Sequence, residues 1–86
     1  MNRLQMAILV AIKFKGAATF DEIFKRAEEK MSAKLVESNI ENALKTMEKR
    51  HYVSSEEIEV GIFNKRKVLR YTLESRGEMQ CRGVSG

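Results

Sequence analysis

Side chains that could hold a polyanion are concentrated in one short stretch of this 86-residue sequence. Three consecutive residues are cations, Lys65, Arg66 and Lys67, and Arg70 follows shortly after them in the sequence. Amines and guanidinium groups at this density can grip phosphates. Because an acidic stretch at residues 56–59 precedes them, the charge is local. Its position favours a polyanionic partner, with solubility or protection of a sheet edge as the alternative.

A second set of polar side chains would share one face of a helix predicted over residues 33–50. The apolar stripe of this helix is Val36, Ile40, Ala43, Leu44 and Met47. At 100° per residue the opposite face is fixed, and it consists of Leu35, Ser38, Asn42, Lys45 and Lys49, flanked by Lys34 and Thr46. Asn can bond adenine through two hydrogen bonds, Lys can donate to guanine, and Ser can serve either purpose. A merely solvated face is the alternative, but no acidic side chain lies on this outward row.

Catalysis and metal binding lack the residues that they would need. The single histidine, His51, and the single cysteine, Cys81, cannot make a zinc site. There is no glycine-rich phosphate loop and no histidine paired with a nucleophile. We therefore expect no enzyme activity, no metal and no cofactor.

Length and composition indicate one folded domain. A hydrophobic content of 43% is too high for a disordered chain. The longest apolar run, Met6–Ile12, is far shorter than the roughly 20 residues that cross a bilayer. Lys13 and Lys15 follow it and argue against a signal peptide. We expect a soluble, cytoplasmic protein with a domain over residues 1–79 and a short flexible tail at 80–86.

The first helix is predicted over residues 2–15 and ends at Gly16. Leu4, Ile8, Ala11 and Ile12 share one apolar face, and a second apolar face is formed by Met6, Leu9, Val10 and Phe14. A helix that is apolar on both sides must be buried on both sides. Either the C-terminal segment or another copy of the chain covers the second face, and in the latter case its four residues are the dimer interface.

The next segments predict two more helices and a hairpin. Thr19 and Glu22 have capping-box spacing for a helix over about 20–30, and Ser32 is a plausible N-cap for the third helix. The period then changes to two, with apolar positions at Ile58, Val60 and Ile62 going out and at Leu69, Tyr71 and Leu73 returning. Arg70 lies on the other face of the return strand. The basic block forms the tip of this hairpin, where Asn64 can take a left-handed conformation.

This order of elements resembles the winged helix-turn-helix fold, an α+β arrangement of three helices followed by a hairpin wing. The similarity is to MarR/PadR-like regulators and to the small winged-helix proteins of archaea and their viruses. Residues 32–53 are similar to the third helix and the residues after it. Tyr71-Thr-Leu-Glu-Ser-Arg-Gly77 looks like the family's closing "Tyr-x-Leu-Thr-x-x-Gly" pattern. His51 replaces the usual glycine at a left-handed position, and Glu74 replaces the usual Thr or Ser.

The resemblance implies a transcriptional regulator that binds double-stranded DNA as a homodimer. The third helix would enter the major groove, and the wing would hold the backbone or the minor groove. The family's long dimerisation helix has no counterpart after Gly77, so that interface is not carried over. The alternative is a winged-helix module that binds another protein in a transcription or other multi-subunit assembly.

Overall fold

The computed structural model describes residues 1–81. Along the chain the elements are α1 (Arg3–Lys15), β1 (Ala17–Thr19), α2 (Phe20–Met31), α3 (Glu37–Lys49), β2 (Val53–Val60), β3 (Arg66–Leu73) and α4 (Ser75–Cys81). The strands form one antiparallel sheet in the order β1-β3-β2. No described helix is both long and apolar enough to cross a membrane.

The first helix forms as predicted, and both of its ends are capped by side chains or glycine. The side chain of Asn2 accepts the amide of Gln5 at 2.8 Å, and the Gln5 side chain accepts the amide of Asn2 at 3.2 Å. Gly16 ends the helix at a φ of 81°, which glycine adopts at little cost. Ile8, Leu9 and Ile12 are completely buried.

The expected intersubunit role of Leu9 is wrong, because this side chain is fully buried within the chain itself. The C-terminal helix α4 packs against α1, and Cys81 at its end is buried too. Met6 and Val10 are half-buried, whereas Phe14 is 64% exposed. The C-terminal segment therefore covers part of the second apolar face of α1. This is the first of the two alternatives given for that face, and the second was another copy of the chain.

The strand β1 was not predicted from the sequence. It pairs with β3 through Ala17 opposite Thr72 and Ala18 opposite Tyr71, and Ala18 is buried. Three residues are too few to show a period-two pattern, and two of them are alanines, which are depleted in strands. The strand exists because β3 offers a free edge beside the start of α2, which is a long-range effect.

The third helix starts later than predicted. Ser32 is the left-handed C-cap of α2, with φ 52°, instead of the N-cap of α3. The chain is extended at Val36, the N-cap of α3, so Val36 does not belong to the apolar stripe and is 59% exposed. The Glu28 carboxylate accepts the amide of Leu35 at 2.8 Å and fixes this linker. The rest of the stripe, Ile40, Ala43, Leu44 and Met47, is buried as predicted.

The hairpin is confirmed, but its register divides the expected apolar face. Ile58 stands opposite Val68, so both lie on the face of Arg70 and not on that of buried Tyr71. At the turn, the left-handed residue is Gly61, with φ 99°, and not Asn64. A Cβ at Gly61 would lie 2.7 Å from the carbonyl oxygen of Asn64, so the turn needs glycine there.

The last described helix places a glycine against the backbone. The Tyr52 carbonyl oxygen accepts the amide of Glu74 at 3.0 Å and would lie 2.2 Å from a Cβ on Gly77. His51 precedes this contact in the left-handed conformation predicted for it, with φ 64°. The predicted tail boundary at residue 80 is too early, because α4 continues to buried Cys81. Residues 82–86 lie outside the described residues.

Candidate nucleic-acid interface

The outward row of α3, defined as Ser38, Asn42, Lys45 and Lys49, lies opposite the buried stripe of that helix. All four side chains are exposed. At 100° per residue they fall within about 60° of one another, on the side away from Ile40. In residues 1–81 none of the four makes a hydrogen bond or ion pair to another side chain. The row therefore offers a hydroxyl, an amide and two ammonium groups without competing partners in the described chain.

Acidic side chains border this row without joining it. Glu48 is turned towards the sheet, where its carboxylate accepts the hydroxyl of Ser55 at 2.8 Å. This bond ties the C-terminal end of α3 to the base of β2. Glu37 and Glu41 are exposed on the flank of the helix. A polyanion that contacts the outward row directly therefore meets no carboxylate. One that approaches from the flank of Glu37 and Glu41 is repelled.

The linker before α3 carries two of the predicted DNA-binding residues, Lys34 and Leu35, and only the first is exposed. Leu35 is half-buried and packs against the core, so it does not point away from the core as predicted. The reason is the late start of α3, which removes Leu35 from the helical geometry used to orient it. Lys34 therefore remains a candidate contact residue, and Leu35 does not.

The basic block on the wing divides into two paired and two unpaired cations. Arg70 Nε donates to Glu56 Oε1 at 2.9 Å, and Lys67 Nζ lies 3.5 Å from Glu57 Oε1. Lys65 and Arg66 have no carboxylate within ion-pair distance in the described chain. Exposed pairs are worth only about 0–1 kcal/mol, so a phosphate can displace them. Lys65 and Arg66 can nonetheless bind a phosphate without first breaking an ion pair, whereas Lys67 and Arg70 cannot.

The wing tip, defined as residues 61–65, also contains two large apolar side chains in solvent. Ile62 is 85% exposed and Phe63 is 94% exposed. Sequence reasoning missed them as surface features, because it counted Ile62 with the core-facing strand positions. The available signal was their place beside Gly61, at the point where the chain reverses.

Two neighbouring shallow pockets form a groove between α1 and α2. Its apolar lining is Met6, Val10, Phe14 and Met31, and charged side chains border it: Arg3, Arg26, Glu29 and Lys30. Arg26 of α2 lies over the Phe14 ring, with 3.7 Å between the guanidinium carbon and the ring centroid. Three of the four predicted interface residues thus remain at the surface or close to it.

The titratable groups with perturbed pKa values serve the fold and not this interface. A hydrogen bond from Lys15 lowers the pKa of Glu22, helped by the Thr19 amide. Burial raises the pKa of Tyr71 and that of the Cys81 thiol. Among residues 1–81 no group of three or more His, Cys, Asp or Glu side chains could hold a metal ion.

No protein-family model matches this sequence, and no curated protein matches it significantly. Solved structures do match. Bacillus subtilis PadR in complex with operator DNA superposes with a TM-score of 0.77 and 22% identity, over 92% of this chain and 44% of PadR. A Thermoplasma acidophilum protein described as a transcriptional regulator gives 0.73 and 23%, over 95% and 75% of the two chains. Stf76 from the Sulfolobus islandicus plasmid-virus pSSVx gives 0.59 and 25%, over 90% and 88%.

These similarities confirm the predicted fold. The chain has the α+β winged helix-turn-helix fold of PadR-like regulators, with α3 as the third helix of the motif and β2-β3 as the wing. It spans less than half the length of Bacillus subtilis PadR.

Proposed function

We propose that this PadR-like winged-helix chain is a sequence-specific, double-stranded DNA-binding transcriptional regulator. Its third helix reads the major groove, and its wing holds the flanking backbone or minor groove. It acts as a homodimer. The base-reading residues are Ser38, Asn42 and Lys45, and the phosphate contacts come from Lys34, Lys49 and the wing.

One observation carries this proposal, which is the outward row of α3. Its side chains are exposed, unpaired in the described chain and free of carboxylates along the row itself. Asn42 can bond the N6 and N7 edge of adenine with two hydrogen bonds, and Lys45 can donate to guanine O6 or N7. Lys49, near the C-terminal end of the row, reaches towards the phosphates that border the groove.

The geometry of the wing suits a second contact on the same duplex. The bond between Glu48 and Ser55 fixes the base of the wing to α3. From Ser55 to Val60 the strand rises about 17 Å, at roughly 3.4 Å per residue. Adjacent major and minor grooves are separated by a similar distance, about half of the roughly 34 Å helical turn. Lys65 and Arg66 would then meet the neighbouring phosphates or the minor groove.

The comparison with Bacillus subtilis PadR supports this reading, because that protein was solved in complex with operator DNA. The similarity covers 92% of the present chain. The low identity of 22% leaves the residues of this chain to specify its own sequence preference.

A homodimer would double the contacts that one small module makes. We assign its interface to the groove between α1 and α2, with Met6, Val10 and Phe14 as the contact residues. A two-fold dimer places its two third helices about one helical turn, roughly 34 Å, apart on the duplex. Such a dimer selects inverted half-sites.

Selection from a random duplex pool tests the proposal. We expect one enriched sequence with two inverted halves whose centres lie about 10 base pairs apart. A single enriched half-site would support sequence-specific DNA binding and refute the dimer. No duplex binding even at ~50 mM salt, where electrostatic affinity is strong, would refute the function and favour the protein-binding alternative.

A further inference from the structure

Ile62 and Phe63 at the wing tip are exposed without serving the core. Their side chains are 85% and 94% exposed. Neither belongs to the hydrophobic cluster of the domain or packs against it in residues 1–81. Burying a side chain of this size is worth about 1.5–3 kcal/mol, so leaving two in water forgoes stability and invites aggregation.

The strand register shows that this exposure is built into the hairpin. The last pair of the ladder is Val60 opposite Arg66, so the residues between them cannot fold back onto the sheet through strand pairing. Gly61, with φ 99°, directs the chain out of β2 at this point. Ile62 and Phe63 therefore lie at the outer end of the ribbon, ahead of Lys65 and Arg66.

The charges around the tip indicate what could cover it. Lys65 and Arg66 follow the apolar pair after Asn64 and have no ion-pair partner in the described chain. The carboxylates of β2 nearest in sequence, Glu57 and Glu59, lie further down the strand, and Glu57 is held near Lys67. The tip therefore presents apolar side chains with cations next to them. Its complement is a groove whose edges are anionic and whose interior is apolar. The phosphate rails and stacked bases of a DNA minor groove have this character.

We propose that the wing tip is a wedge, in which Phe63, backed by Ile62, enters the minor groove and partly unstacks a base step. The proposal rests on the function proposed above and adds a bending activity to it. Lys65 and Arg66 hold the phosphates on either side of the opened step. Unstacking costs a few kcal/mol, which burial of the apolar side chains and the added phosphate contacts offset.

The wedge specifies the kind of DNA step that it enters. Pyrimidine–purine steps such as TA and CA/TG unstack and kink most easily. Side chains of Phe and Ile are among those that other minor-groove proteins insert, with kinks of about 20–90° towards the major groove. The wing would thus select a flexible step at a fixed offset from the bases that α3 reads.

The test uses duplexes that carry 2-aminopurine at a TA step, where unstacking raises its fluorescence. Wild-type protein should raise the fluorescence, and Phe63→Ser should abolish the rise and weaken binding about tenfold, within the range expected for losing a buried Phe. Phe63→Leu should keep most of the signal, because any large apolar side chain can act as a wedge. Met79→Ala is the matched control, since Met79 is 63% exposed on α4.

The possible results separate the wedge from the function beneath it. Duplex binding by Phe63→Ser with wild-type affinity and fluorescence would overturn the wedge and leave the DNA-binding function intact. Failure of the wild-type chain to bind duplex would overturn both. Vesicles containing phosphatidylserine provide the other arm: vesicle binding that requires Phe63, with a duplex signal that does not, would overturn the wedge in favour of an anionic lipid surface.

Discussion

Arg70 and Glu56 stand directly opposite each other on β3 and β2, and Arg70 Nε donates to Glu56 Oε1 at 2.9 Å. On the other face of the ribbon, Lys67 Nζ lies 3.5 Å from Oε1 of Glu57, which is its diagonal neighbour across the strands. Within residues 1–81, the acidic strand of the wing therefore pairs with the inner cations and leaves the outer ones, Lys65 and Arg66, without a carboxylate partner. This gradient concentrates phosphate affinity at the tip.

Releasing Arg70 should strengthen binding to any duplex. Glu56→Gln removes the paired carboxylate, so we expect several-fold tighter binding to random duplex and a salt slope steeper by about one. Fluorescence anisotropy at several salt concentrations measures both. Glu78→Gln on α4 makes the same change in net charge away from the wing and serves as the control. Equal effects of the two variants would show that Arg70 gains no phosphate contact.

Replacing Asn42 should affect sequence preference more than overall affinity. Asn42→Ala removes an amide from the outward row without harming the helix, since Ala has the highest helix propensity. We expect a loss of about 1–3 kcal/mol on the selected site at one base pair, with random duplex bound as before. Competition assays with single-base variants measure this difference. Equal losses on selected and random duplex would refute base reading by Asn42.

Replacing Arg66 should have the opposite character. Arg66→Ala should weaken binding to all sequences alike and reduce the salt slope by about one, because a phosphate contact carries no base information. The same titrations on selected and random duplex measure it. Lys25→Ala on α2 is a suitable control for the loss of one positive charge, because Lys25 is exposed and lies outside the groove between α1 and α2. A loss confined to the selected site would instead make Arg66 a base-reading residue.

The sequence was a good guide wherever structure depends on local periodicity. The buried stripe of α3 and the outward row follow from the 3.6-residue repeat alone, and the left-handed position of His51 follows from the helix end. It was a poor guide where tertiary contacts decide. The strand β1 forms by pairing with β3, and Leu9 is buried in a core that several helices and the sheet build together.

The wing tip shows a third kind of limit. A period-two pattern predicts which residues share a face, but it does not show where the ladder ends or how far the ribbon extends beyond the core. Ile62 continues the alternation of Ile58 and Val60 in sequence, yet Gly61 has already turned the chain. The pattern therefore predicted a core residue where the structure has an exposed one.

The close contact between α4 and the residues after α3 predicts a sharp stability effect. Gly77→Ala would bring its Cβ to 2.2 Å from the Tyr52 carbonyl oxygen, so helix and backbone must separate. We expect a loss of about 1–3 kcal/mol in the free energy of unfolding, the usual cost of overpacking. Urea denaturation measures it, with Met79→Ala as the control on the same helix. A change within about 0.5 kcal/mol would show that α4 shifts without cost.

Glu22 should make the stability of the domain sensitive to acid. Its carboxylate accepts the Thr19 amide at 3.0 Å and pairs with Lys15, which together lower its pKa from the ordinary value of 4.5. A carboxyl whose pKa is lower in the folded state stabilises the fold above its unfolded pKa, and that contribution is lost as the pH falls through the folded pKa. Glu22→Gln keeps an acceptor for the Thr19 amide but removes the charge that pairs with Lys15, so it should cost up to about 1 kcal/mol near neutral pH, the range of an exposed ion pair, and less below pH 4.5. Thermal melting from neutral pH down to about pH 3 would show the two proteins converging. Lys15→Met keeps the bond to the Thr19 amide and should retain part of the acid dependence, whereas an unchanged gap between wild type and Glu22→Gln in acid would exclude this cap as its source.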